Sequence, residues 1–205
     1  MFPDLLCDDV FQLETRRLWL RWPRAADAAL IGRFLGDRDV AEKTAHAPHP
    51  FPPGAAAEFV LKARAANMGG GELVLALTTK ARPTEMIGVI SLHRRGEGPP
   101  NLAYRLGKPF WSKGLMSEAA QAFVAMVFSL TDLAEIHACA RQDNAASLRV
   151  LAKCGFRPLG PGVEPAPARG GSVPVERFLL SRGQAANAEA DTTGADLFPP
   201  HMQTA

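Results

Sequence analysis

Apolar side chains along this chain switch between two spacings. Residues 16–22, RRLWLRW, alternate apolar with polar as a strand does. In residues 24–37 the apolar positions Ala28, Ile31, Phe34 and Leu35 recur at helical spacing, with Asp27 near the start. The stretch AHAPHPFPPG, 45–54, is too rich in proline for a helix or a central strand. Residues 55–66 return to a helical pattern. Three strand patterns follow at 72–79, 85–94 and 101–107, parted by KARP and by RGEGPP, which suits an antiparallel meander.

The second half reads differently. After a glycine at 114, Ala120, Phe123, Val124, Val127 and Phe128 fall on one wide helix face. Residues 134–141 form a short strand pattern. NAASLRVLAKCGF then predicts a short helix with Asn144 as its N-cap and Gly155 as its stop. Residues 155–160 and 173–182 look like closing strands around a loop at 160–172. Past residue 182 there is too little apolar surface to offset ordering, which predicts a flexible tail. The order of elements predicts one α+β domain with a mixed, largely antiparallel sheet. It spans residues 13–181, between an N-terminal extension at 1–12 and a tail at 182–205.

Composition narrows the classes of function. The 205 residues are 47% hydrophobic and 21% charged, with a net charge of +2. That gives room for a substantial core and no basic stripe of the kind a nucleic-acid binder shows, so a small-molecule or protein partner is expected. Cys7, Cys139 and Cys154 are odd in number and lack metal-ligand spacing, which predicts reduced thiols and no metal. The N-terminus carries acids where a signal peptide carries bases, and no stretch approaches about 18 apolar residues. A soluble, cytoplasmic protein with no membrane partner, monomeric or homodimeric, is therefore expected.

Two constellations carry candidate chemistry. In WSKGLMSEAA, Gly114 lets the backbone come close to a ligand just where a helix exposes unpaired N–H groups and its positive end. Lys113 adds charge, and Ser117 can cap the helix or bond a phosphate oxygen. Glu118 would repel a phosphate and must point sideways. The stretch is either an anion site or an ordinary strand-to-helix turn. In NAASLRVLAKCGF, Asn144 and Ser147 share the first turn, while Leu148, Leu151 and Cys154 face a core; alone this is a capped helix. Each constellation follows a strand, about 30 residues apart. Two parallel strands ending together would aim both helix starts into one cleft.

Residues 107–160, from GKPFWSKGLMSEAA through ARQDNAASLRVLAKCGFRPLG, resemble the cofactor-binding half of the GNAT N-acetyltransferase superfamily. With LETRRLWLRWPRAADA, HPFPPGAAAEFV and MIGVISL upstream, the resemblance is to the branch of ribosomal-protein N-terminal acetyltransferases and covers roughly residues 13–181. It implies a sheet splayed at its centre with helices on both faces. It also implies that Trp111, Ser112, Lys113, Gly114, Leu115, Met116 and Ser117 hold the pyrophosphate of acetyl-CoA. Tyr104, Arg105 and Leu106 would lie along the pantetheine arm, with Asn144 touching it and Ser147 near the sulfur.

The chain departs from that pattern in three places. Trp111 and Met116 stand where the superfamily loop usually begins with Arg or Gln and ends with Gly or Ala. Leu151 stands where many members carry a tyrosine acid, which leaves Ser147 as the nearby acid. Asn101 stands where the branch often has a glutamate, which leaves the base open. His93, at a strand end, can take a proton directly or through water, or is simply solvated there. His46 and His49 lie in the loop that borders the acceptor site in this family. The resemblance implies acetyl transfer from acetyl-CoA to a primary amine, expected to be a protein N-terminus, by direct attack in a ternary complex. A small-molecule amine acetyltransferase, for a polyamine or an antibiotic, and a non-catalytic acyl-CoA-binding module are the alternatives.

Overall fold

A computed structural model describes residues 2–44, 49–94, 98–166 and 170–184. Its eight strands form one sheet in the order β1-β2-β3-β4-β5-β6-β8-β7. They are β1 (Gln12–Glu14), β2 (Leu18–Arg21), β3 (Leu73–Thr79), β4 (Arg82–His93), β5 (Asn101–Leu106), β6 (Glu135–Arg141), β7 (Arg157–Ala166) and β8 (Gly171–Ser181). Every neighbouring pair is antiparallel except β5 and β6. The helices are α1 (Ala28–Leu35), α2 (Arg38–Glu42), α3 (Ala55–Met68), α4 (Leu115–Leu130) and α5 (Ala145–Lys153).

Helices cover both faces of the sheet, as expected of this α+β pattern. On one face α4 buries Ala120, Phe123, Val124 and Val127 against Leu75, Leu77, Ile90 and Leu92. On the other, α1 and α3 bury Ile31, Val60 and Ala63 against Val74, Ala76 and Val89. The period-2 alternation of the strands sorts these sets. Polar fasteners hold the second layer in register. Asn67 on α3 donates to the Val74 carbonyl at 2.9 Å and accepts from its N–H at 2.7 Å. Arg21 and Asp27, both fully buried, share two hydrogen bonds of 2.8 and 2.9 Å between β2 and the start of α1.

The termini of the domain are more engaged than their composition suggests. Phe2 and Leu6 pack into the main core from the N-terminal extension. Arg182 donates to the carbonyls of Phe128, Thr131 and Leu133 at the C-terminal end of α4, where a cation meets the negative end of the helix. The remainder of the expected tail, from residue 185, lies outside the described residues. Two short elements, β1 and α2, join those predicted. The expected loop at 160–172 is largely strand instead, because β7 is the edge of the sheet, where Pro158, Pro161 and Pro165 leave no inner donor missing.

Candidate active site

The two parallel strands at the centre separate soon after they meet. β5 and β6 pair only at Asn101↔His137 and Leu102↔Ala138, and beyond these the strands diverge. A cavity of about 540 Å³ occupies the gap, lined on both sides by residues 101–106 and 138–141 and by the first turns of α4 and α5. On β5, Leu102, Tyr104 and Leu106 join the core beneath α4 and α5. Asn101, Ala103 and Arg105 therefore face the α1–α3 side. The cavity passes through the sheet from one layer to the other.

At one end of the gap stands the start of α4. Ser112 and Gly114 both have positive φ, 59° and 69°, which turns the loop tightly just before the helix. No side chain caps this helix, so its first amides remain available to an anion. Trp111, Ser112, Gly114, Leu115, Met116 and Ser117 line the cavity. Lys113 is placed otherwise: its ammonium lies 5.9 Å over the Phe110 ring, and it is not among the lining residues.

Glu118 does turn sideways. It accepts hydrogen bonds from the Thr15 hydroxyl at 2.7 Å, the Arg17 N–H at 2.7 Å and Arg17 Nε at 2.6 Å. Arg17 in turn donates to the Lys113 carbonyl at 2.9 Å. Burial pushes the Glu118 carboxyl up, but the bonds from Thr15 and Arg17 outweigh it and hold the group below its ordinary value. The loop is thus braced from the β1–β2 connection. This brace joins residues about a hundred positions apart, and no local spacing announces it.

The start of α5 is closed by its own chain. Asn144 accepts from the Ser147 N–H at 3.2 Å. Above it the Tyr104 hydroxyl lies 2.8 Å from the Ser147 hydroxyl and donates to the Ser147 carbonyl at 3.1 Å. Burial drives the tyrosine pKa well above its ordinary value of 10. Leu151 leaves α5 without a tyrosine; the chain's single tyrosine reaches the same turn from β5. Alternation with Leu102 and Leu106 was the sequence signal that could have aimed it there. Buried Cys154 has its thiol pushed up to about 12 by burial, which makes it inert at neutral pH.

The opposite wall is formed by His93, Arg105, Cys139, Arg141 and Glu164, together with Lys43 and Thr44 after α2. His93 follows Ile90 and Leu92 on β4, so it faces the α1–α3 side and approaches the cavity from the face opposite Ser147. His49 does not line the cavity, and His46 lies outside the described residues. Glu164 is the one carboxylate among the described lining residues, and the sequence reading passed over it because it sits in what looked like a loop.

Residues 17–157 match the family model for the GNAT acetyltransferase domain. The chain belongs to that family. A curated relative, an uncharacterized N-acetyltransferase named p20 from Bacillus licheniformis, is 25% identical over 170 residues, which is 82% of this chain and 94% of the relative. The ribosomal-protein-S5-alanine acetyltransferase of Vibrio fischeri superposes with a TM-score of 0.71 at 19% identity, over 84% of this chain and 97% of that one. The spermidine N-acetyltransferase of Vibrio cholerae, solved with CoA and spermine, superposes with a TM-score of 0.69 at 16% identity, over 83% and 98%.

As a GNAT enzyme, the protein transfers an acetyl group from acetyl-CoA to an amine. The cavity fits that co-substrate on the chemistry of its donors. An uncapped helix start is the complement of a pyrophosphate, and past Leu102 β5 has no ladder partner on its β6 side. No helix among the described residues is long and apolar enough to cross a membrane. No cluster of three metal-ligating side chains occurs among them.

Proposed function

We propose that the acceptor is a protein N-terminal amine and that it attacks the thioester directly, in a ternary complex, across the gap between β5 and β6. The observation that carries this reading is the charge of the cavity wall. Lys43, Arg105, Arg141, Arg149 and Lys153 line it against Glu164 as the one carboxylate among the described residues. Such a wall repels a polyamine, whose several ammonium groups need carboxylates. The passage through the sheet gives an extended chain end a way in from the α2 side while CoA lies on the α4 side.

The roles of the residues follow from their places. The amides of residues 111–117, with Gly114 at the turn, hold the pyrophosphate, and Tyr104 to Leu106 run beside the pantetheine. Asn144 fixes the first turn of α5. Ser147 Oγ–H hydrogen-bonds to the sulfur as the C–S bond breaks, so that CoA leaves as a stabilised thiolate that takes its proton from water, while the Tyr104 hydroxyl stays protonated and holds that turn of α5. On the other face, Glu164 or His93 receives the amine proton, directly or through water. An N–H of β5 near Leu106 polarises the acetyl carbonyl.

A thiol-release assay with tetrapeptides that begin with Ser, Ala or Met, run beside spermidine and an aminoglycoside, tests this. Turnover with peptides and little with spermidine is expected. Faster turnover of spermidine than of every peptide contradicts the acceptor assignment. Tight acetyl-CoA binding with no amine turned over points to a binding module.

A further inference from the structure

We infer that the acceptor bears a carboxylate within one or two residues of its reacting amine and that Arg105 is the side chain that binds it. This deepens the transfer reading above and rests on it. Among the described residues, five arginines are withdrawn from full exposure: Arg17, Arg21, Arg64, Arg105 and Arg141. Four of them pair with a carboxylate, namely Glu118, Asp27, Asp9 and Asp143, at 2.6 to 2.8 Å. Arg105 pairs with Val89 through its backbone, but its guanidinium has no hydrogen bond or ion pair to any described residue. A guanidinium taken out of water without a partner is costly, and a fold that pairs every other such arginine keeps this one open.

Its surroundings explain why no internal partner is there. Arg105 lies between the main cavity and a small cleft lined by Ile31, Phe34, Val40, Phe59 and Met86. Burial lowers its pKa with no carboxylate near enough to oppose the shift. It remains charged. CoA does not supply the missing anion. Its pantetheine arm is uncharged, and its phosphates belong at the α4 loop, on the face that Tyr104 and Leu106 share with the α4 and α5 layer. Arg105 faces the other layer, where the acceptor enters. It follows the hydroxyl-bearing Tyr104 directly in the chain, so an amine at the gap brings a nearby carboxylate into its reach. A guanidinium grips a carboxylate through two parallel bonds, and in a partly dry wall such a contact discriminates strongly against an amide of the same shape.

The experiment compares kcat/KM for two peptide amides, Ser-Asp-Ala-Gly and Ser-Asn-Ala-Gly, and for the α-amides of aspartate and asparagine, in the wild type, R105M and R105K. The wild type is expected to prefer the acidic member of a pair by roughly 10- to 100-fold. R105M is expected to bring that ratio near one, and R105K to restore part of it. Preference confined to the peptides places the carboxylate on a protein; preference confined to the single-residue α-amides places it on a small molecule. A wild-type ratio near one, or a ratio unchanged in R105M, overturns the inference. If no amine turns over, the transfer reading fails separately. Calorimetry of Ser-Asp-Ala-Gly amide with the CoA-loaded protein then decides: binding lost in R105M upholds the anion site, and no binding to the wild type refutes it.

Discussion

Two helices begin at the same cleft, and they begin in opposite ways. The start of α4 has no side-chain cap and is preceded by two residues at positive φ; the start of α5 is capped by Asn144 and roofed by Tyr104. An uncapped N-terminus gives up roughly 1 kcal/mol that Asn or Ser would supply there. At α4 the chain instead spends its polar side chains on bracing the loop from behind, through Glu118 and Arg17. A helix start braced from behind and open in front is shaped for an anion from outside. One that is capped from within is a fixed support, and what it presents to the cleft is the hydroxyl of Ser147. In the proposed reading, binding belongs to the first of these helix starts and chemistry to the second.

That division is broken most severely at Ser147. If its hydroxyl meets the departing sulfur, Ser147→Ala lowers kcat by roughly a hundredfold while acetyl-CoA affinity changes little and stability falls by no more than about 1 kcal/mol, because Asn144 still caps the turn and the Tyr104 hydroxyl keeps the Ser147 carbonyl. Steady-state kinetics beside calorimetry show it; full turnover in the variant means the sulfur leaves without this hydroxyl. A smaller effect sharpens the other half. Glu118→Gln loosens the brace and is expected to cost about 1–2 kcal/mol of stability at pH 7. The folded-state pKa of Glu118 lies below its ordinary 4.5, so its contribution is complete above that value and is lost as pH falls through the folded-state value. Urea unfolding of both proteins from pH 7 downward should therefore show curves that converge in acid. A gap that stays constant with pH removes the charge from the account.

Much of this was legible in the sequence because it is local. Apolar spacing marked α3, α4 and the central strands, and the capping role of Asn144 follows from residue type and position alone. The order of the two constellations, each after a strand and about 30 residues apart, pointed both helix starts into one cleft. What escaped depends on contacts between distant segments. Thr15, Arg17 and Glu118 meet across the sheet, Tyr104 reaches Ser147 across 43 positions, and Glu164 enters the cavity only because residues 160–166 continue an edge strand. Pro161 and Pro165 argued against that strand, and the freedom of a sheet edge overrode them. α2 is five residues long, too short to show a helical period.

Calorimetric titration of CoA and of pantetheine, which lacks the phosphates, into the wild type and Gly114→Val tests the open helix start most directly. A branched side chain at φ 69° is strained, and its Cβ would come within 3.6 Å of Arg17 Nη2, so the substitution disturbs the braced loop whose amides are assigned to the phosphate. The wild type should bind CoA far more tightly than pantetheine, and the folded variant should lose at least roughly 2 kcal/mol, about 30-fold, on CoA while its weak affinity for pantetheine stays the same. Equal losses on the two ligands, or CoA affinity that survives the substitution, would contradict the assignment of the phosphates to the start of α4.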